Sequence, residues 1–184
     1  MTTALALQAA DAGTTYLKLD AGLSIIDKLE PKDAGPDSED VDMDPGVRLD
    51  VAGGYNFAKG FALELEAGLA YNEGKDVDLD FYQIPLIASV VYELPLQSKF
   101  KPYIGAGAGA VFSMVEADSD EVEVDDEDFT FAWQLMAGVN YAINDRTEIG
   151  IGYKFLANME PEFEDAELDD VYTHAILAVI KFNF

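Results

Sequence analysis

The stretch FALELEAGLAY, Phe61–Tyr71, sets an aromatic residue at each end and alternates strictly between two chemistries in between. Phe61, Leu63, Leu65, Ala67, Leu69 and Tyr71 fall on one parity; Ala62, Glu64, Glu66, Gly68 and Ala70 fall on the other. Successive side chains of an extended chain point to opposite faces. The segment is therefore a strand with one wholly apolar face and one face that carries charge among small residues. Aromatic residues at both ends of the apolar face suit a strand that crosses hydrocarbon and meets an interface on either side.

The same period of two recurs along the chain. Eight strands are expected, at Thr14–Ile26, Gly46–Tyr55, Phe61–Tyr71, Phe81–Glu93, Pro102–Val115, Phe129–Tyr141, Thr147–Ala157 and Val171–Phe184. In the last, Tyr172, His174, Ile176, Ala178, Ile180, Phe182 and Phe184 share a face. In the sixth, Phe129, Phe131, Trp133, Leu135, Ala137, Val139 and Tyr141 do so. The connections alternate in length. Asn56–Gly60, Leu94–Lys101 and Ala142–Arg146 are short, and the others mostly run longer. Short turns at one end and longer connections at the other describe an all-β, antiparallel, up-and-down barrel of eight strands.

Charge is segregated to one of those ends. Asp27–Asp44, Asn72–Asp80, Glu116–Asp128 and Asn158–Asp170 hold 28 of the 36 Asp and Glu, but only Lys28, Lys32 and Lys75 of the 11 Lys and Arg. That accounts for the whole formal charge of −25, so the rest of the chain is neutral. Such a surface disfavours nucleic acid and other polyanions as partners. The other end is basic, with Lys59, Lys99, Lys101 and Arg146 against Asp145. No apolar run is long enough for a transmembrane helix, but a barrel strand needs only about 9–11 residues, half of them facing inward. Cysteine is absent, so neither a disulfide nor a thiolate metal site is available.

The direction each face points decides between membrane and water. A soluble carrier barrel is apolar inside and polar outside. Here Phe61, Tyr71, Tyr82, Tyr92, Phe129, Tyr141, Tyr153 and Tyr172 sit on the cleaner apolar faces and are expected to form two aromatic girdles. The opposite faces carry Lys18, Asp20, Arg48, Asp50, Glu64, Glu66, Glu148, Lys154 and Lys181. These nine are expected to pair along the axis of a narrow lumen, since eight strands enclose little more than their own side chains. The reading is a transmembrane barrel with a packed polar interior.

Three stretches carry a resemblance to a family: KPYIGAGAGAVF (Lys101–Phe112), WQLMAGVNYAINDRTEIGIGYKF (Trp133–Phe155) and HAILAVIKFNF (His174–Phe184). Together they resemble the eight-stranded outer-membrane barrels of Gram-negative bacteria, the OmpA/OmpX-like and opacity-type group. The likeness spans the chain after its first dozen residues and stops short of the peptidoglycan-binding domain of larger members. It implies a surface-exposed structural or adhesive barrel, without cofactor or catalytic activity, among outer-membrane lipids and lipopolysaccharide. It also implies that Phe182 and Phe184 form the terminal signal by which barrel-assembly machinery recognises the last strand. Residues 1–12, MTTALALQAADA, read as the end of a secretory signal with Ala10-Asp11-Ala12 as a small-x-small cleavage pattern. The start is then truncated or misassigned, and the barrel domain is expected over 13–184.

Other candidate chemistry is weaker. Glu64 and Glu66 are neighbours on one face and could share a proton, but nearby Lys and Arg make an ion-pair network the simpler reading. His174 is the sole histidine. Lipid-cleaving outer-membrane enzymes that resemble this barrel use a His with a Ser two residues on; here that position is Ile176. Gly105, Gly107 and Gly109 lack the Lys-Ser/Thr ending of a phosphate loop and read as small inward residues. The acidic connections remain. Dense carboxylates attract Ca²⁺ or Mg²⁺ weakly, although no stretch matches the twelve-residue calcium loop. A small ion channel and a lipid-modifying hydrolase are the rival functions.

Overall fold

Each alternating segment is a β-strand hydrogen-bonded to its neighbours in sequence. The structure, a computed structural model, describes residues 12–27, 43–75, 79–119, 122–159 and 170–184. The strands are β1 Thr15–Ile26, β2 Gly46–Ala58, β3 Phe61–Glu73, β4 Leu79–Glu93, β5 Phe100–Ser119, β6 Val122–Ala142, β7 Thr147–Asn158 and β8 Val171–Asn183. All pairings are antiparallel, and β8 returns to β1 through Leu17↔Phe182 and Ala21↔Ala178, closing the barrel. Closure leaves no sheet edge within the wall, which a structure in hydrocarbon requires because lipid cannot satisfy free N–H and C=O groups.

Polarity runs outward in the order membrane burial demands. Leu63, Leu65 and Ile151 are 53%, 70% and 65% exposed, whereas Glu64 and Lys154 are each 2% exposed. Pairing register preserves this arrangement from strand to strand. Leu65 stands opposite Gly53 and Ala88, and Glu66 opposite Ala52 and Ile87. A slip of one residue would carry every ionic side chain of a strand into the hydrocarbon.

Short turns join β2 to β3, β4 to β5 and β6 to β7. The first is Lys59-Gly60, and Gly60 takes φ +78°, a conformation that a Cβ disfavours. At the other end the expected third connection is corrected. Glu116–Asp128 is not a loop: β5 and β6 continue through it as a paired ribbon to Ser119↔Val122. Val115, Val122 and Val124 keep the period of two through the acids. Backbone pairing tolerates a charge density that sequence alone suggests is loop. The neighbours end sooner, β7 at Ala132↔Asn158 and β4 at Leu79↔Ala117, so the ribbon stands proud of the wall on the β7 side. Residues 1–11 and most of the other acidic connections, 28–42, 76–78 and 160–169, lie outside the described residues.

A charge on the outer face should be penalised according to its depth in the bilayer. Leu65→Arg, near the middle of β3, is expected to lower unfolding free energy in lipid vesicles by about 2–4 kcal/mol. Urea denaturation of the reconstituted barrel measures this; an unchanged midpoint would contradict a lipid-facing Leu65.

Candidate functional site: the ionic lumen

The inward positions of the eight strands stack into layers. At the short-turn end, Lys101 Nζ lies 2.7 Å from Glu148 and 3.7 Å from Glu93, while Lys181 Nζ lies 3.3 Å from Glu93 and 3.7 Å from Glu148. Lys181 also rides over the Tyr16 ring, 4.4 Å from its centroid. Asn183 donates to Glu148 at 2.9 Å. Above this square sit Tyr16, Ala62, Val91, Tyr103 and Met136, packed together as an apolar cluster.

The middle of the lumen is the most highly charged. Lys154 on β7 donates to Asp20 on β1 at 2.7 Å, Asp50 on β2 at 2.7 Å and Glu66 on β3 at 2.6 Å. Its three ammonium hydrogens are thereby matched to three carboxylates. Arg48 Nε approaches both Asp50 oxygens at 3.0 Å, and its Nη2 reaches Glu66 at 3.4 Å and Gln134 at 3.1 Å. Lys18 Nζ lies 2.6 Å from Glu64, which also accepts from the Tyr16 hydroxyl at 2.9 Å. Two buried atoms of this layer, Asp20 Oδ1 and Arg48 Nη1, have no hydrogen-bond partner among the described residues.

Toward the long-connection end the lumen turns apolar, then polar, then apolar again. Ile87, Val111, Ala132 and Leu156 form one plug. Next come Thr173 donating to Gln83 at 2.9 Å, Asn158 linking Ser113 and Thr130, and Asn72 donating to the Ser24 and Asp44 carbonyls. Ile26, Phe81 and Val171 close the mouth, packed by Met43, Leu79 and Val115. A void of about 20 Å³ lies near the short-turn end between Lys18, Glu64, Glu93 and Lys181. It has room for about one water-sized body.

The structure puts all nine anticipated ionic residues on the inner face, each under 9% exposed. Two more belong with them. One is Glu93, and the other is Lys101, which the sequence suggests for the basic turn end but which is buried at 8% exposure. Strand phase was the available signal. Glu93 follows inward Val91 by two, and Lys101 precedes inward Tyr103 by two. Because β5 begins at Phe100, Lys101 lies in the wall, not in a turn. Lys59, Lys99 and Arg146 are exposed, as a turn requires. Gly105, Gly107 and Gly109 face inward, where Met136, Ser89 and the β4 backbone occupy the space their side chains would need.

On the outer face the aromatic residues gather at two levels. Phe61 packs on Tyr92 at 4.5 Å between ring centroids and Phe100 on Tyr141 at 5.2 Å, near the short turns. Tyr71 packs on Tyr82 at 4.9 Å near the other end, where Trp133, Phe155 and Tyr172 stack across β6, β7 and β8. Phe129 is exposed on the same face. His174 joins this upper group. Its Nδ1 is 2.7 Å from the Tyr153 hydroxyl, and its Nε2 is 3.6 Å from Asp27, while Ile176 points outward beside it. Phe182 and Phe184 face outward at the end of β8, and the Phe184 amide donates to Thr15.

A closed ring of eight strands with an ionic axis and an apolar, aromatic-banded exterior narrows the comparison to one kind of protein. Residues 1–184 match the outer membrane protein beta-barrel domain. The chain belongs to that family. Membership makes it a protein of the bacterial outer membrane. Among solved structures it is similar to Neisserial surface protein A, with 18% identity, a TM-score of 0.65, and 92% of this chain and 97% of that one covered. It is also similar to Ail, the attachment invasion locus protein of Yersinia pestis, solved with the heparin analogue sucrose octasulfate (15% identity, TM-score 0.57, 94% and 99% covered). The outer membrane protein OprG of Pseudomonas aeruginosa matches at 16% identity, TM-score 0.51, over 96% and 98% of the two chains. At these identities the likeness is one of fold. An uncharacterised protein of Brucella abortus is 31% identical over 84 residues, 38% of this chain and only 28% of its own length.

Lys154 is the residue whose loss the lumen tolerates least. Lys154→Met removes the cation that contacts Asp20, Asp50 and Glu66 together, three carboxylates whose oxygens lie within 4.8 Å of one another. The expected cost is about 3–5 kcal/mol of stability. Urea unfolding in detergent measures the cost, and a variant as stable as the parent would show that the cluster is not an ion-paired unit.

Proposed function

We propose that the barrel is a cell-surface structural and interaction protein. Its short turns face the periplasm, and its acidic connections project outside, where they associate with divalent cations. Register along the β5–β6 ribbon supports this most directly. In the backbone register Glu116 pairs with Asp125 and Asp118 with Glu123, and like charges at directly opposed positions of a ladder are in general destabilising. Ca²⁺ or Mg²⁺ relieves like-charge repulsion of this kind. The same ions bridge the connections to anionic lipopolysaccharide phosphates, which the connections would otherwise push away. Association of this kind is diffuse and weak, about 10⁻⁴–10⁻³ M, as for extracellular calcium modules.

The sulfated ligand of the Ail structure does not transfer to this chain, because an end holding nearly all of the −25 net charge repels a polyanion. The stacked plugs favour a closed lumen over a small channel. His174 between Tyr153 and Asp27, without a hydroxyl on the neighbouring outward position Ile176, favours an interfacial anchor over a lipid hydrolase. Phe182 and Phe184 at the end of β8 suit recognition by barrel-assembly machinery during insertion.

Calcium titration of the detergent-solubilised barrel tests the proposal. Binding is expected to be sub-millimolar to millimolar, to weaken as NaCl rises, and to fall when Asp118, Glu123, Asp125 and Asp126 are changed to Asn or Gln together. Undiminished affinity in that variant would overturn the ribbon's role.

A further inference from the structure

Two neighbouring short turns extend the apolar outer face beyond the strands. Leu96 lies between β4 and β5 and Ile143 between β6 and β7, and both are exposed. Beside them Phe100 and Tyr141 face outward, their ring centroids 5.2 Å apart. The ladder brings the two turns together. The Ala142 amide donates to the Lys99 carbonyl at 2.9 Å, one residue beyond the Phe100↔Tyr141 pair. Apolar surface therefore continues past the aromatic level into both turns, to the depth where hydrocarbon gives way to headgroups.

Two cations stand at that depth. The Lys99 ammonium lies over the outward Tyr141 ring, 5.8 Å from its centroid. Its charge therefore sits at the membrane-facing rim and not over the lumen, as a long side chain at an interface prefers. Arg146 is exposed in the β6–β7 turn. Lys99 is opposite Ala142, which pairs with Glu148, so the backbones carrying the two cations are two strand spacings apart, on the order of 10 Å. Neither cation has a carboxylate partner among the described residues, and Asp145, the acid beside Arg146, pairs with neither. Lys101, two residues into the wall, is by contrast taken up by Glu148 and Glu93.

We infer that these two turns bind an anionic phospholipid, its phosphodiester between Lys99 and Arg146 and its acyl chains along Leu96, Phe100, Tyr141 and Ile143. Charge sets the class of headgroup. Two cations beside one acid attract a net anion, whereas a zwitterionic headgroup brings a cation of its own. Position sets the source, because an ammonium held over a membrane-facing ring meets headgroups before anything dissolved in water. The proposed orientation makes this the periplasmic leaflet, although the contact is the same whichever way the barrel is inserted.

Native mass spectrometry of the full barrel tests this, with the protein released from detergent micelles holding equal trace amounts of phosphatidylglycerol and phosphatidylcholine of the same chains. The wild type should retain phosphatidylglycerol about tenfold over phosphatidylcholine, in line with two cations near a bilayer surface. Lys99→Gln with Arg146→Gln should abolish the preference, and Lys99→Arg with Arg146→Lys should keep it. Lys99→Gln alone should reduce it, whereas Lys59→Gln, which removes a charge from the β2–β3 turn, should leave it intact. No preference in the wild type, or one that survives the double neutralisation, would overturn the inference. So would an equal fall in Lys59→Gln and Lys99→Gln, the mark of net charge alone, or displacement of the lipid by an equal concentration of glycerol phosphate, the mark of a free-phosphate site. A micelle has no sidedness, so failure here leaves the proposed orientation and the cation binding of the acidic end standing.

Discussion

Lys154 can reach carboxylates on β1, β2 and β3 at once only because the strands close into a ring. Its own strand, β7, pairs with β6 and β8, so each of these contacts crosses the lumen. The cluster therefore ties barrel closure, strand register and polarity together. If β7 moved one residue against its neighbours, the ammonium would enter hydrocarbon and three carboxylates would stay behind. Buried ion pairs often add little net stability, because the desolvation of each ion offsets their attraction. What they supply here is discrimination: misregistered arrangements strand charges in the membrane, and the native one does not.

The layers on either side of this cluster divide the remaining work. Hydrogen-bonded Asn, Gln, Ser and Thr side chains link strands above it, and apolar plugs separate the polar levels. No continuous polar path joins the two ends through the described side chains. The outside follows a different rule. Lipid tails are as apolar as the leucines they touch, so outer residues need only avoid charge, and aromatics are placed where the hydrocarbon ends. The two rules together explain how a chain with a net charge of −25 presents a neutral wall.

Most of this was legible in the sequence because period-two alternation assigns both strand and face at once. FALELEAGLAY already separates Leu63 and Leu65 from Glu64 and Glu66, and the structure keeps them on opposite sides. Legibility failed at strand ends. Charge suggests a turn for Lys101 and a loop for Glu116–Asp128, because it marks solvent exposure without distinguishing a loop from a paired ribbon. Backbone hydrogen bonding decides that, and it leaves little trace in side-chain chemistry. Partner choice across the lumen was also out of reach. The sequence offers nine ionic side chains on one face, but which ammonium meets which carboxylate depends on barrel stagger.

Trp133 offers the most direct test, being the sole tryptophan and lying on the outer face within the upper aromatic group. In vesicles, lipids brominated along their acyl chains should quench its fluorescence strongly, and aqueous iodide should quench it weakly. Strong quenching by iodide with none from brominated lipid would mean that the apolar face does not meet the membrane.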